Sequence, residues 1–222
     1  MNISTGLLSH YWLWGGWIVY LVSLVVIVRR IPWSVILRER GIQHLLFGSA
    51  VVLILLWQLR AGVTDYLTIY FLGLTTLTLM FGWDLAVLVG SVVMLVMTLL
   101  GIESWQMLPV NLVCSVLIPA GVSILILRIV EAKLPKNFFV YMFLCAFAGA
   151  GVAVGVSGLS MALILWMDGI YPWSKIYHDY AQYLPLIMLP EGLINGIIMT
   201  GMMVFHPDWI RTFDAKAYID DQ

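Results

Sequence analysis

The chain of 222 residues is 62% hydrophobic and only 10% charged, and its formal net charge is -1. Soluble domains are about half apolar and about a quarter charged, so this composition excludes a water-soluble globular enzyme. The balanced charge excludes a basic surface for nucleic acid, and two cysteines exclude a disulfide framework. The composition indicates an all-α, polytopic protein whose first partner is the lipid bilayer.

Seven segments are apolar enough to cross a bilayer, which requires about 20 mostly apolar residues. They cover roughly 11–28, 41–59, 66–82, 84–101, 108–130, 138–166 and 183–206. The third is short and joins the fourth through a tight turn at 82–84, so these two could instead form a re-entrant hairpin. We expect one transmembrane domain over 1–206 and a short cytoplasmic tail over 207–222.

The positive charges lie mainly on one side of these segments. Nine of the eleven Lys and Arg residues fall in the first loop, the fifth loop and the tail, whereas Arg60 and Lys175 fall on the other side. Loops on the cytoplasmic side carry the excess of Lys and Arg. We therefore predict an outside N-terminus, a cytoplasmic C-terminus and a multi-pass location in the plasma (inner) membrane.

Glu191, inside the last segment, is the most informative residue. A carboxylate within a membrane costs a few kcal/mol and usually faces a cavity or a partner. Pro190 frees the carbonyl of Leu186, and Asn195 follows one turn later on the same face. This group predicts a site for a cation or a polar ligand, in which Asn195 contributes to substrate binding. The alternative is a carboxylate that only joins two helices.

Other candidates are weaker. Asn111 opens the fifth segment and is a candidate substrate-binding residue, although polar residues there often only join helices. His10 lies outside, where it could meet a ligand, but a lone interfacial histidine usually has no special role. The chain has no P-loop, no H-E-x-x-H motif and no cysteine–histidine cluster with zinc spacing. We therefore expect that it is not an enzyme and cannot itself hydrolyse ATP.

Four stretches together resemble a known family. They are Gly6-Leu7-Leu8, the segments 70–82 and 108–130, and the sequence LPEGLINGIIMTGMMVF at 189–205. Their order and spacing are similar to those of the CbiM/NikM family, the substrate-binding membrane subunits of energy-coupling factor importers for cobalt and nickel. The resemblance implies a coupling protein and cytoplasmic ATPase subunits as partners, which are separate chains.

The resemblance also implies a metal site near the outer face. In metal-binding members, the ligands are the N-terminal amine, a histidine directly after the first methionine and a histidine in the third segment. These places fall on Met1, Asn2 and about Tyr70. Because Asn and Tyr are poor ligands for Ni²⁺ and Co²⁺, either Met1, His10 and Glu191 hold the metal otherwise or the substrate has changed.

We interpret the chain as the substrate-binding permease subunit of an energy-coupling factor importer for a transition-metal ion, with no cofactor beyond a bound nickel or cobalt ion. The predicted site lies in the outer half, where Met1, Tyr70, Asn111 and Glu191 converge. One alternative is a solo transporter that moves a small organic cation or protons through Glu191. Another is a membrane assembly or anchoring factor whose glycine stripe, Gly151, Gly155 and Gly158, binds a partner.

Overall fold

The computed structural model of the chain describes residues 2–3, 8–64, 67–213 and 218. Within these residues the chain is predominantly helical. The helices are α1 (His10–Arg30), α2 (Trp33–Arg38), α3 (Arg40–Gln58), α4 (Leu74–Phe81), α5 (Trp83–Leu99), α6 (Leu108–Leu112), α7 (Ile118–Lys133), α8 (Phe138–Val140), α9 (Gly149–Met167), α10 (Trp173–Asp179) and α11 (Leu184–Phe205). The short strands are β1 (Asn2–Ile3), β2 (Arg60–Thr64) and β3 (Leu67–Tyr70).

Five helical stretches among the described residues are long and apolar enough to cross a membrane. They are His10–Arg30, Arg40–Gln58, Leu108–Lys133, Phe138–Met167 and Trp173–Phe205, and α5 is a shorter apolar helix. Two of the long stretches contain π-helical turns, at Val113–Leu117 and Tyr141–Ala148. The helical, multi-pass membrane fold is confirmed, whereas the count of seven spans and the orientation of the termini stay predictions.

The expected third span at 66–82 is wrong as a continuous helix. Strand β3 occupies its first residues, and only the eight residues of α4 are helical, a length of about 12 Å. Gly73, between them, has a φ of 66°, a left-handed conformation that glycine adopts without strain and that separates strand from helix. Every residue of α4 is buried, so this irregular backbone is shielded by protein, as a membrane requires.

The three strands form a small antiparallel sheet in the order β1-β3-β2, which the sequence did not predict. Asn2 pairs with Thr68 and Ile3 with Leu67, while Arg60 pairs with Tyr70 on the other edge of β3. The segment 60–70 is rich in β-branched and aromatic residues, which favours strands over a third helix.

Glycines allow the closest helix contacts in the core. A Cβ at Gly151 would lie 3.0 Å from the carbonyl oxygen of Met188, and one at Gly155 would lie 2.9 Å from the Met188 sulfur. A Cβ at Gly192 would lie 2.8 Å from the carbonyl oxygen of Phe147. The glycine stripe of α9 is therefore used for internal packing against α11, the usual role of small residues between membrane helices.

The first residues of the expected tail return to the buried helix α4. The Arg211 amide donates to the carbonyl of Met80 at 2.8 Å, and the Thr212 hydroxyl donates to that of Leu79 at 2.6 Å. Arg211 Nη1 donates to the carbonyl of Phe81 at 3.1 Å. Three successive carbonyls at the end of α4, which have no partner within the helix, are thus satisfied by this segment.

Candidate functional site at a buried strand–helix junction

The site begins at the junction where β3 ends and α4 begins, residues 70–74. Tyr70 is 1% exposed, and its ring lies 5.2 Å from that of Trp57, centroid to centroid. The Trp57 indole donates to the carbonyl of Leu72 at 3.0 Å. An aromatic residue from α3 therefore fixes both the end of the strand and the turn that follows it.

Glu191 meets this junction from α11. Its Oε2 accepts from the amide of Leu72 at 2.9 Å, and its Oε1 accepts from the amide of Gly73 at 2.8 Å. Asn195 Nδ2 also donates to Oε1 at 2.9 Å. The carboxylate, which is 1% exposed as a residue, therefore faces three N–H donors at the entrance of α4.

Asn195 extends the same contact by one turn. Its Oδ1 accepts from the amide of Thr76 at 2.9 Å and from the Thr76 hydroxyl at 2.7 Å, while its Nδ2 also donates to the carbonyl of Glu191 at 2.8 Å. Free amides at a helix start are normally capped by a side chain just before the helix. Here the caps come from another helix 119 residues along the chain. Glu191 and Asn195 therefore cap the start of α4 from another helix of the same chain.

This arrangement gives Glu191 and Asn195 partners other than those expected from the sequence. Each group that the described residues present to the carboxylate is an N–H donor, and Asn195 binds backbone and Thr76. The roles of Glu191 as a cation ligand and of Asn195 as a substrate-binding residue stay predictions. The observed geometry is that of two residues that position the turn after Tyr70.

An ion pair lies against Tyr70 at the other edge of the sheet. Arg60 Nη2 is 2.9 Å from Glu103 Oε1, and the guanidinium carbon lies 5.4 Å from the centroid of the Tyr70 ring. The Glu103 side chain is 1% exposed, and neither oxygen accepts a hydrogen bond with good geometry from the described residues. Burial raises the pKa of the Glu103 carboxyl, and the Arg60 charge opposes that shift.

A π-helical turn also borders the junction around Tyr70. Ser115 belongs to the turn Val113–Leu117 and is close enough to Tyr70 for a side-chain hydrogen bond. Pro119 has no amide hydrogen to donate to the Ser115 carbonyl, which explains why the hydrogen-bond pattern changes here. Asn111, fully buried, lies about one turn earlier. The predicted residue Asn111 thus lies on the helix that borders the junction.

The N-terminal strand reaches the same place. Because β1 is antiparallel to β3, the step from Ile3 to Asn2 runs toward the Tyr70 end of β3. The backbone of Asn2 lies beside Thr68, and Met1 lies outside the described residues. His10, in contrast, is exposed at the first residue of α1. The junction thus gathers β1, Tyr70, Glu191 and Asn195, whereas His10 is exposed to the surroundings.

Sequence reasoning missed Arg60 and Glu103. Their signal was a pair of opposite charges at the outer ends of two predicted spans, where charges are otherwise scarce. Among the described residues there is no cluster of three or more His, Cys, Asp and Glu side chains that could hold a metal ion.

Comparison with known proteins agrees with this fold. A family model, CbiM, described as the cobalt uptake substrate-specific transmembrane region, matches residues 2–209. A truncated transition metal transporter has a crystal structure that matches with a TM-score of 0.80 and 16% identity, over 93% of this chain and 100% of that chain. A second crystal structure of a transition metal transporter matches with the same score and identity, over 92% and 93%.

Sequence search among curated proteins finds no match. At 16% identity, the two crystal structures show a shared fold and nothing finer. The family model carries the assignment, because it covers nearly the whole chain. The resemblance found in the sequence is thereby confirmed: the chain belongs to the CbiM family, the substrate-specific transmembrane components of cobalt uptake.

Proposed function

We propose that the ion which this metal-uptake permease subunit binds is a nickel- or cobalt-like divalent cation, and that it binds at the junction around Tyr70. The subunit itself is a multi-pass membrane protein. We further propose the plasma membrane as its location and a coupling protein with cytoplasmic ATPase subunits as its partners. Such partners would supply the energy of uptake, because the chain contains no P-loop motif.

The pairing of β1 with β3 carries this proposal. The family resemblance implies metal ligands from the first two residues and from the third segment, and the register brings Asn2 next to the strand that ends at Tyr70. Two distant parts of the sequence, 66 residues apart at the pair Asn2 and Thr68, thus meet where the family would place its ion. The free α-amine, with a pKa of about 8, can lose its proton when it binds a metal.

The donor types in this chain differ from imidazole. Asn2 and Tyr70 offer oxygen donors, which are weaker than histidine for nickel and cobalt. The Glu103 carboxylate near Tyr70 is paired with Arg60 at 2.9 Å, so this ion pair adds no net charge beside the proposed ion. We therefore expect weak binding of Ni²⁺ and Co²⁺, with the α-amine as the nitrogen donor.

The test is metal binding to the purified full-length chain by calorimetry, with Ni²⁺, Co²⁺ and Mg²⁺. Asn2→His and Tyr70→His should each tighten Ni²⁺ binding by about tenfold or more, because imidazole is a better ligand. A short N-terminal extension that blocks the amine should abolish binding while the unfolding temperature stays unchanged. The control His10→Ala should bind as the unmodified chain does. Unchanged affinity in the blocked and both histidine variants would contradict this site.

The two alternatives are not favoured. A solo transporter of protons or organic cations would use Glu191, but its oxygens accept from Leu72, Gly73 and Asn195. In an anchoring factor, the glycine stripe would contact a partner protein. Here Gly151 and Gly155 contact Met188 of the same chain. Proton flux that depends on Glu191 in vesicles, without any metal binding, would reverse this preference.

A further inference from the structure

A large crevice is lined by none of the residues of the Tyr70 junction. Its volume is about 970 Å³, and it is bounded by α1, by the start of α5 and by the helix that continues from the π-turn into α7. This volume is at the upper end of the range of roughly 300–1,000 Å³ that is usual for small-molecule sites. The metal-site proposal does not use this crevice.

The crevice forms because α1 diverges from its neighbours. Near its start, α1 is held close to α6, since a Cβ at Gly16 would lie 3.1 Å from the Pro109 carbonyl carbon. One turn later Val19 already lines the open space, and Arg30 lines it at the end of α1. Across the gap, a Cβ added at Gly121 would meet nothing within 4 Å. The crevice therefore lies between α1 and the helix that carries Gly121.

Positive charge is concentrated in this crevice. Arg30, Arg128 and Arg211 line it together with one carboxylate, Asp84. Arg211 pairs with Asp84 at 3.2 Å, while Arg30 and Arg128 make no ion pair with any residue that the structure describes. The lining therefore carries a net charge of about +2 at neutral pH. All three arginines belong to the regions that the charge distribution places at the cytoplasmic face.

We propose that this crevice binds one anionic phospholipid of the inner leaflet. Its phosphate would lie between Arg30 and Arg128, and an acyl chain would lie along Val19, Leu125 and the open face of Gly121. Basic pockets between membrane helices on the cytoplasmic side are suited to anionic headgroups. The apolar wall requires a ligand with a long apolar part, which a free phosphate lacks. Charge complementarity and apolar lining in one crevice therefore both point to a lipid.

The experiment is native mass spectrometry of the full-length chain in detergent, with equal amounts of phosphatidylglycerol and phosphatidylcholine that have the same acyl chains. We expect selective retention of one phosphatidylglycerol. Arg30→Gln with Arg128→Gln should weaken it by about thirtyfold, since each basic residue near the headgroups contributes on the order of fivefold. The matched control is Arg29→Gln with Lys133→Gln, which removes two nearby charges that do not line the crevice.

A second variant tests the acyl part. Gly121→Phe places a bulky side chain in the crevice without changing its charge and should also release the lipid, while Gly15→Phe, at another glycine with open space, should retain it. Unfolding temperatures establish that each variant is folded. Equal retention of both lipids, unchanged binding in the double arginine variant, or full displacement by millimolar glycerol phosphate would overturn the proposal. The last outcome would indicate a simple anion site.

Discussion

The two ends of the buried helix α4 are held by opposite kinds of chemistry. At its start, Glu191 and Asn195 offer oxygen acceptors to the free amides of Leu72, Gly73 and Thr76. At its end, Arg211 and Thr212 offer donors to three free carbonyls. The rule is the same at both ends, because a helix leaves amides unpaired at one terminus and carbonyls at the other.

The two ends differ in their access to water. Glu191 and Asn195 are 1% and 0% exposed, whereas the Arg211 side chain is 55% exposed. An unsatisfied backbone group inside a membrane costs several kcal/mol, but at a wet surface water can replace the lost partner. We therefore expect the start of α4 to contribute much more to the free energy of unfolding than its end.

The largest effect is expected at Glu191. Glu191→Leu leaves the amides of Leu72 and Gly73 without acceptors and should lower the free energy of unfolding by about 3 kcal/mol or more. Glu191→Gln keeps one acceptor oxygen but turns an amide group toward an N–H donor, so its loss should be intermediate. Unfolding in detergent by increasing SDS measures both. Leu189→Ala, on the exposed face of the same helix, is the control.

The same variants decide between two roles of Glu191. If the carboxylate is a cap, Glu191→Gln destabilises the fold and weakens metal binding only as far as the junction is disturbed. If it is a cation ligand, as the sequence suggested, the unfolding free energy stays unchanged and the metal affinity falls by about tenfold. The second result would mean that the start of α4 does not depend on Glu191 for its stability.

A smaller effect is expected at Thr76. Thr76→Val removes the hydroxyl that donates to Asn195 at 2.7 Å but leaves the backbone bond from the Thr76 amide at 2.9 Å. The loss should be about 1 kcal/mol, the net value of one hydrogen bond. Asn195→Leu alone should cost more, because it also leaves the amide unpaired. In the double variant, the threonine substitution should add almost nothing, and full additivity would show that the two residues act independently.

The sequence predicted the parts of the molecule that composition and periodicity determine. Long apolar runs such as 108–130 are helices long and apolar enough to cross a membrane. Glu191 also stood out, since a carboxylate in an apolar helix requires a partner. What that partner is depends on a contact between residues 119 apart, which no local pattern encodes.

The small sheet is a second feature that local sequence patterns did not predict. The segment 66–82 is apolar enough to be read as a membrane helix, and its hydropathy does not reveal that β3 pairs with β1 and β2. Gly73 was the available signal, because a glycine between a β-branched run and a threonine-rich helix marks a change of backbone. Tyr70 was chosen by resemblance alone, and its neighbours Arg60 and Glu103 came only from the fold.

At the more exposed end of α4, Thr212 should contribute no more to the free energy of unfolding than Thr76 does. Its hydroxyl donates to the carbonyl of Leu79 and therefore accepts from the Tyr141 hydroxyl, both at 2.6 Å. Thr212→Val should lower the free energy of unfolding by about 1 kcal/mol, because Thr212 is only partly buried. Tyr141→Phe removes only the second bond and is the matched comparison. A loss as large as that of Glu191→Leu would show that the two ends of α4 contribute equally to the free energy of unfolding.

The smallest effect is expected for the ion pair of Arg211 with Asp84. The pair is 3.2 Å apart, and the Arg211 side chain is 55% exposed while that of Asp84 is 11% exposed. Ion pairs with one exposed partner and access to solvent contribute about 0–1 kcal/mol. Arg211→Gln should therefore change the unfolding free energy by less than about 1 kcal/mol, and raising the salt concentration should reduce the difference further. The amide of Arg211 still donates to Met80 in this variant, so the helix end keeps its backbone bond. A large loss that salt does not reduce would show that the carbonyl of Phe81, not Asp84, is the partner that matters.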